Sequence, residues 1–297
     1  YQADLILAVG GGSVMDTAKL ASVLMTKQYG IKDLLEAPLL ARKCLKTIMI
    51  PTTAGTGAEA TPNAIIAVPE RQLKVGIVNP EMMADYVILD ARMVKALPKR
   101  IVAATGMDAL AHAIECWTSK KANMFSDIYS LQALKMILNN LETAYDEPDN
   151  LEAKNQMLIA SFYAGVAITA SGTTAVHALS YPLGGRYHIA HGVSNAILLT
   201  PVMKFNEEAC LERLSKAYDF CIRGSLKEIK AKSHALIERI AEIATHLDIP
   251  KNLMELGVPK EDLESLVAAG MQVTRLLANN MRTVTEADAR KIYCEIM

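Results

Sequence analysis

The spacing of apolar residues changes partway along the chain. Up to about Pro98, short β-rich runs alternate with other segments. Residues 5–9 are apolar and run straight into glycines, and residues 45–50 end at Pro51. Residues 64–68, 73–78 and 86–89 are further strand candidates, whereas 13–26 has helical spacing. After Pro98 the strand signals cease. Helical periodicity then covers 106–120, 126–141, 151–170, 190–205, 209–220, 226–247 and 263–277. Ser13 with Asp16, and Thr285 with Asp288, have the spacing of capping boxes, the second opening a last helix toward Met297. The pattern predicts an α/β unit with a Rossmann-like parallel sheet over residues 1–98, followed by an all-helical unit over 99–297.

One stretch invites comparison with a membrane span. Between Asn155 and Gly185 the only ionisable side chains are His177 and the tyrosines. Only 157–170 is densely apolar, short of the roughly 20 residues a bilayer requires, so a buried helix pair is expected. Composition agrees: 51% of the 297 residues are hydrophobic and 21% charged, which excludes a disordered chain. Aromatics make up 5% and methionine numbers 15, so the core should be aliphatic. Lysine plus arginine is 31 against 32 acidic residues, net −1, which gives no support for nucleic-acid binding or a polybasic membrane module. The five cysteines are dispersed with no CxxC, and no basic leader opens the chain, so reduced thiols and a cytoplasmic location are expected.

Two loops and one set of side chains carry chemistry. Gly10, Gly11, Gly12 and Ser13 follow a predicted strand and open a predicted helix. Glycines there let backbone approach a phosphate, and the first helical N–H groups point at it. The same residues also suit a tight turn with an ordinary cap. The loop from Pro51 to Gly57 (PTTAGTG) follows the next strand, where small and hydroxyl side chains suit a nucleotide lying across a parallel sheet. Asp108 and His112 stand four apart on one helix face, and Glu115 continues the stripe. Together with His177 and His191, Asp108 and His112 offer one carboxylate and three imidazoles, a set suited to Fe(II) or Zn(II) with a position left for substrate. Singly, each histidine reads better as a satisfied core or surface residue; only the set raises a metal site to an equal reading.

In order and spacing, these motifs resemble the iron-containing (group III) alcohol dehydrogenases, whose fold is shared with dehydroquinate synthase. The resemblance runs through AVGGGS with Asp16 and Lys19, PTTAGTGAE from Pro51, GMDALAHAIE from Gly106, and HALSYPLGG from His177 to His191-Gly192-Val193. It implies that Gly11, Gly12 and Ser13 bind the pyrophosphate of NAD or NADP, with Gly10, Asp16, Thr52, Thr53, Thr56, Asn63 and Lys74 as further cofactor contacts. It implies that Asp108, His112, His177 and His191 hold iron, or zinc, in a cleft between the two units. The activity implied is hydride transfer between NAD(P) and a small alcohol or aldehyde, with the metal lowering the pKa of the alcohol. A homo-oligomer is implied as well. Family members usually carry further βα units before the GGGS strand. The start at Tyr1 therefore reads as a cut within the first domain, leaving cofactor choice open and a sheet edge exposed.

The chain departs from the family at two places. Tyr181 stands where many members have a second histidine. Its hydroxyl could relay a proton, though its ordinary pKa near 10 makes it a poorer base, or its ring could simply fill space. Arg186 and His188 occupy a segment that is often aromatic and neutral. If either faces the cleft, a carboxylate-bearing substrate such as a hydroxyacid or semialdehyde is attractive. A lyase or synthase related to dehydroquinate synthase is the competing function, but it needs several basic residues and few candidates are present. A metal hydrolase would leave both glycine loops unexplained.

Overall fold

Strands β1 (Leu5–Gly10) and β2 (Lys46–Pro51) pair in parallel, from Leu5 opposite Lys46 to Gly10 opposite Pro51. Both glycine-bearing loops therefore leave the same edge of the sheet at the same level. The computed structural model describes residues 3–68 and 73–297, apart from the side chains of Ala67, Leu73 and Lys74. A short strand β5 (Tyr86–Val87) adds in parallel on the far side of β2, giving the order β1-β2-β5. Among the described strands β1 thus lies at one end of this order, and Leu5, Leu7 and Val9 on one of its faces are exposed.

Helix α1 (Gly12–Leu24) packs back on β1 and β2 through Met15 and Ala18, which cluster with Ala8 and Met49, while its Leu20 and Val23 join a second cluster with Ala64 and Ile77. Its cap differs from the expected box. Gly11 is the N-cap and makes no side-chain cap bond. Asp16 instead accepts from the backbone N–H of Ile65 at 3.1 Å, tying α1 to the next strand. That strand, β3 (Asn63–Val68), pairs antiparallel with β4 (Leu73–Val78) as a separate hairpin. These two strand candidates stand outside the parallel sheet for a simple reason: four intervening residues cannot hold the crossover that parallel neighbours need. A short helix α2 (Ile31–Glu36) completes this part.

From residue 99 onward the described elements are helical. They are α3 (Lys99–Trp117), α4 (Met124–Asp146), α5 (Leu151–Ser171), α6 (Ala175–Tyr187), α7 (His191–Cys221) and α8 (Ile229–His246), then α9 (Leu263–Met271), α10 (Thr274–Leu277) and α11 (Glu286–Cys294). The main hydrophobic core lies among them, while two smaller clusters line the α/β part. Two expected helices, 190–205 and 209–220, run on as the single α7, because buried Asn206 at the join finds its partner in Asn280 at 2.9 Å rather than breaking the helix. The capping box at Thr285 and Asp288 forms as expected. The apolar pair α5 and α6 bends by 107° and is largely buried. Gly172, at φ +68°, makes the turn between them. No single described helix is long and apolar enough to cross a membrane.

Candidate metal and dinucleotide site

Fourteen of the nineteen residues of α3 are buried, including Asp108, His112 and Glu115 on its inward face. α6 brings His177 and the first residue of α7 brings His191. Gly192 lies hard against the backbone of Ala104, so a side chain at this position would hold α7 away from α3. One donor atom from each of Asp108, His112, His177 and His191 then falls within 4.8 Å of the others. His177 Nε2 is 3.9 Å and His191 Nε2 3.7 Å from Asp108 Oδ1.

The surrounding groups fix which atoms face inward. His112 Nδ1 donates to the carbonyl of Gly55 at 3.2 Å, so its Nε2 carries the lone pair. His177 Nδ1 is held by Glu115, leaving its Nε2 for the cluster. Glu115 is fully buried yet well partnered: Oε1 accepts from Thr174 N (3.0 Å), Thr174 Oγ1 (2.6 Å) and Val176 N (2.8 Å). A carboxylate behind a ligating histidine is the arrangement that orients the ring and raises its basicity. Asn195 Nδ2 donates to Asp108 Oδ1 at 2.6 Å and stands 3.0 Å from His177 Nε2. Its Oδ1 is buried and without a partner.

Electrostatics divides the roles. Burial pushes His112 down to about 4, so it is neutral. Burial also pulls His177 down, but the Glu115 charge and hydrogen bond outweigh it and hold that ring above its ordinary value. Asp108 is equally buried, yet the three imidazoles and Asn195 keep its carboxyl below the usual range. One ionised carboxylate with three inward-facing imidazole nitrogens fits a divalent ion of the Fe(II) or Zn(II) kind, and in a buried cluster such a donor set is otherwise poorly compensated.

The glycine loops meet beside this cluster. Thr52 N donates to Gly10 O at 2.9 Å. A Cβ on Gly11 would lie 3.4 Å from Thr53 Oγ1, and one on Gly12 would lie 3.0 Å from Thr56, so the two loops touch. Gly12, Ser13, Asp16, Thr56 and Asn63 line one cavity of about 670 Å³ together with His112, His177, Tyr181 and His191. With no side-chain cap on α1, the first N–H groups of that helix are available to an anion at the cavity wall. Asp16 itself is bound to Ile65 N and to Lys19 Nζ (3.5 Å), the latter fully buried against Thr61 and Asn63 O.

Not every expected residue reaches this cavity. Thr52 and Thr53 stand behind the loop contact, and the side chain of Lys74 lies outside the described residues. His188 ends α6 in the left-handed region, φ 56°, and is exposed. Arg186 points outward to Asp262 (3.1 Å) and Ser265. Tyr181 does border the cavity, its ring 6.3 Å from that of His191. Burial holds its hydroxyl above the ordinary value, with Arg275 drawing it back. Asn195, Arg275 and Asn279 were not evident beforehand. Only Asn195 had a usable signal, its i, i+4 spacing from His191.

Comparison with known proteins agrees with this geometry. The family model described as iron-containing alcohol dehydrogenase matches residues 1–91, and the C-terminal model of the Fe-containing alcohol dehydrogenase family matches residues 102–297. Long-chain-alcohol dehydrogenase 1 of Geobacillus thermodenitrificans is 38% identical over 295 residues, covering 98% of this chain and 74% of that protein. The structure of alcohol dehydrogenase from Oenococcus oeni matches with a TM-score of 0.93 at 30% identity, over 100% of this chain and 77% of that one. Sulfoacetaldehyde reductase from Bifidobacterium kashiwanohense in complex with NAD+ matches with a TM-score of 0.89 at 29% identity, over 99% of this chain and 76% of that one.

Proposed function

Because the chain belongs to the iron-containing alcohol dehydrogenase family, we propose that its cavity is where a small alcohol and its aldehyde are interconverted by hydride transfer with NAD or NADP, and that Asp108, His112, His177 and His191 hold Fe(II). The observation that carries this reading is that the four donors and the paired glycine loops open on one cavity. When bound, the ion polarises the substrate oxygen and the dinucleotide accepts or gives the hydride.

The chain's own residues do the rest. The opening N–H groups of α1 at Gly12 and Ser13 receive the pyrophosphate, and Thr56 and Asn63 face the remainder of the dinucleotide. Glu115 and the Gly55 carbonyl fix the two rings whose Nε2 atoms face the ion. Tyr181 stays protonated at neutral pH, so it serves as a hydroxyl donor at the cavity wall and not as a base. His188 takes no part, being turned away from the cavity. We read the enzyme as cytosolic, on its five free cysteines, and as a homo-oligomer, on the exposed apolar cluster of Met124, Phe125 and Ile128.

A lyase of the dehydroquinate synthase type is not favoured, since Lys121 and Arg275 are the only lysine or arginine side chains among the described residues lining the cavity. The deciding experiment combines metal analysis with an aldehyde screen against NADH and NADPH, alongside His191→Ala. Metal retention and turnover should both vanish in the variant. Full activity in His191→Ala would overturn the ligand assignment, and no turnover by iron-loaded parent with any aldehyde would overturn the dehydrogenase reading.

A further inference from the structure

The expected anchor for a charged substrate, Arg186, is committed elsewhere through Asp262 and Ser265. The wall of the cavity nevertheless carries two cations, Lys121 and Arg275, and neither has an ion-pair partner among the described residues. They are not equivalent. Arg275, an exposed side chain at the mouth of the cavity, lines it together with Tyr181, whose ring is 6.3 Å from that of His191. Arg275, Tyr181 and His191 thus line the same cavity, and His191 belongs to the four-donor cluster. Four residues beyond Arg275, just past the end of α10, Asn279 faces the same cavity and is buried. Its Nδ2 donates to Thr173 O at 3.0 Å, while its Oδ1 has no partner. A buried acceptor left unmet is unfavourable by about 1–3 kcal/mol and calls for a donor, so it marks this wall as polar without itself contacting a carboxylate.

We propose that Arg275 docks a terminal carboxylate of the substrate, so that the enzyme prefers short aldehydes and alcohols whose far end is anionic. The guanidinium offers a planar fork that pairs a carboxylate through two hydrogen bonds, which a lone ammonium such as Lys121 cannot reproduce. The carboxylate at Arg275 and the reacting oxygen at the ligand cluster then fix both ends of a short molecule, which aligns the carbon between them for transfer. The proposal rests on the dehydrogenase reading and adds to it the class of substrate.

The test uses two four-carbon aldehydes that differ only at the far end, 4-oxobutanoate and butanal, with metal-loaded enzyme. The parent should favour 4-oxobutanoate in kcat/KM, and that preference should weaken as salt is raised. In Arg275→Gln the ratio of kcat/KM, acid over butanal, should fall about 30-fold or more, mostly through KM, and Arg275→Lys should restore part of it. Dinucleotide affinity, read by NADH fluorescence, should stay as in the parent. A parent that shows no preference overturns the proposal, as does an unchanged ratio in Arg275→Gln. So does a loss of NADH binding in that variant, which would assign Arg275 to the cofactor. Turnover of butanal without preference removes only this inference, whereas no turnover of either aldehyde removes the dehydrogenase reading and this inference with it.

Discussion

His112 Nδ1 meets the carbonyl of Gly55 at 3.2 Å, joining a ring on α3 to the loop that follows β2. One backbone oxygen of the loop after β2 thereby fixes the tautomer of a histidine in the four-donor cluster. The two halves of the site are covalently distant and mechanically joined.

Gly55 is held there by contact. A Cβ on it would stand 2.7 Å from Thr105 Cβ and 2.9 Å from Thr105 Cα, and backbone cannot yield as a side-chain tip can. Gly55→Ala should shift the carbonyl and loosen His112. Iron affinity, measured by competition with a chelator, should fall about 10-fold or more. Parent-like affinity would show that the bond does not orient the ring.

Gly57 is the second anchor of that loop. It sits at φ +57°, and a Cβ would lie 2.6 Å from Ser161 O and 2.7 Å from Gly165 Cα on α5. Gly57→Ala combines left-handed strain with overpacking, so a loss of about 2–4 kcal/mol is expected in urea unfolding. A loss under about 1 kcal/mol would mean the loop can lift off α5 freely.

Glu115 acts through His177. Glu115→Gln keeps the shape but removes the charge behind the ring, and should lower iron affinity about 10- to 100-fold with the folded state intact by circular dichroism. Glu115→Ala should also destabilise, because Thr174 N and Val176 N lose their acceptor. Equal metal affinity in parent and Glu115→Gln would remove the carboxylate from the site's function.

Glu59 gives the fold a pH signature. Burial lifts its carboxyl from 4.5 to about 7, only partly countered by its own backbone and by Lys19. Between those values the folded chain holds more protons than the unfolded one. This group's contribution is therefore full below about pH 4.5 and is lost as pH rises through 7. Glu59→Gln removes the ionisation that opposes folding. Relative to the parent, the variant should gain about 1–3 kcal/mol between pH 5 and pH 8. A stability difference that does not change with pH would show that Glu59 is already charged when folded.

Much of this molecule was legible in its spacing. The strand-to-glycine junction at Gly10, the helix carrying Asp108 and His112, and the Thr285 box depend on neighbours a few residues apart, and each appears as expected. Asp16 shows where that reading stops. Its spacing from Ser13 suits a cap, but Ile65 N lies within reach once β3 folds over α1, and the long-range bond prevails. Arg186 stands just beyond the His177 motif yet faces Asp262, whereas Arg275, with no motif around it, lines the cavity.

The sequence by itself determined the α/β-then-helical order and the glycine loops, because helix and strand periods place side chains on faces without reference to the rest of the chain; the four donors stood out only through the chain's resemblance to the family's motifs. Only the tertiary structure decided which carboxylate backs which imidazole, that the Gly55 carbonyl orients His112, and which arginine faces the cavity. Those choices depend on distances between elements separated by tens of residues, and packing alone sets them.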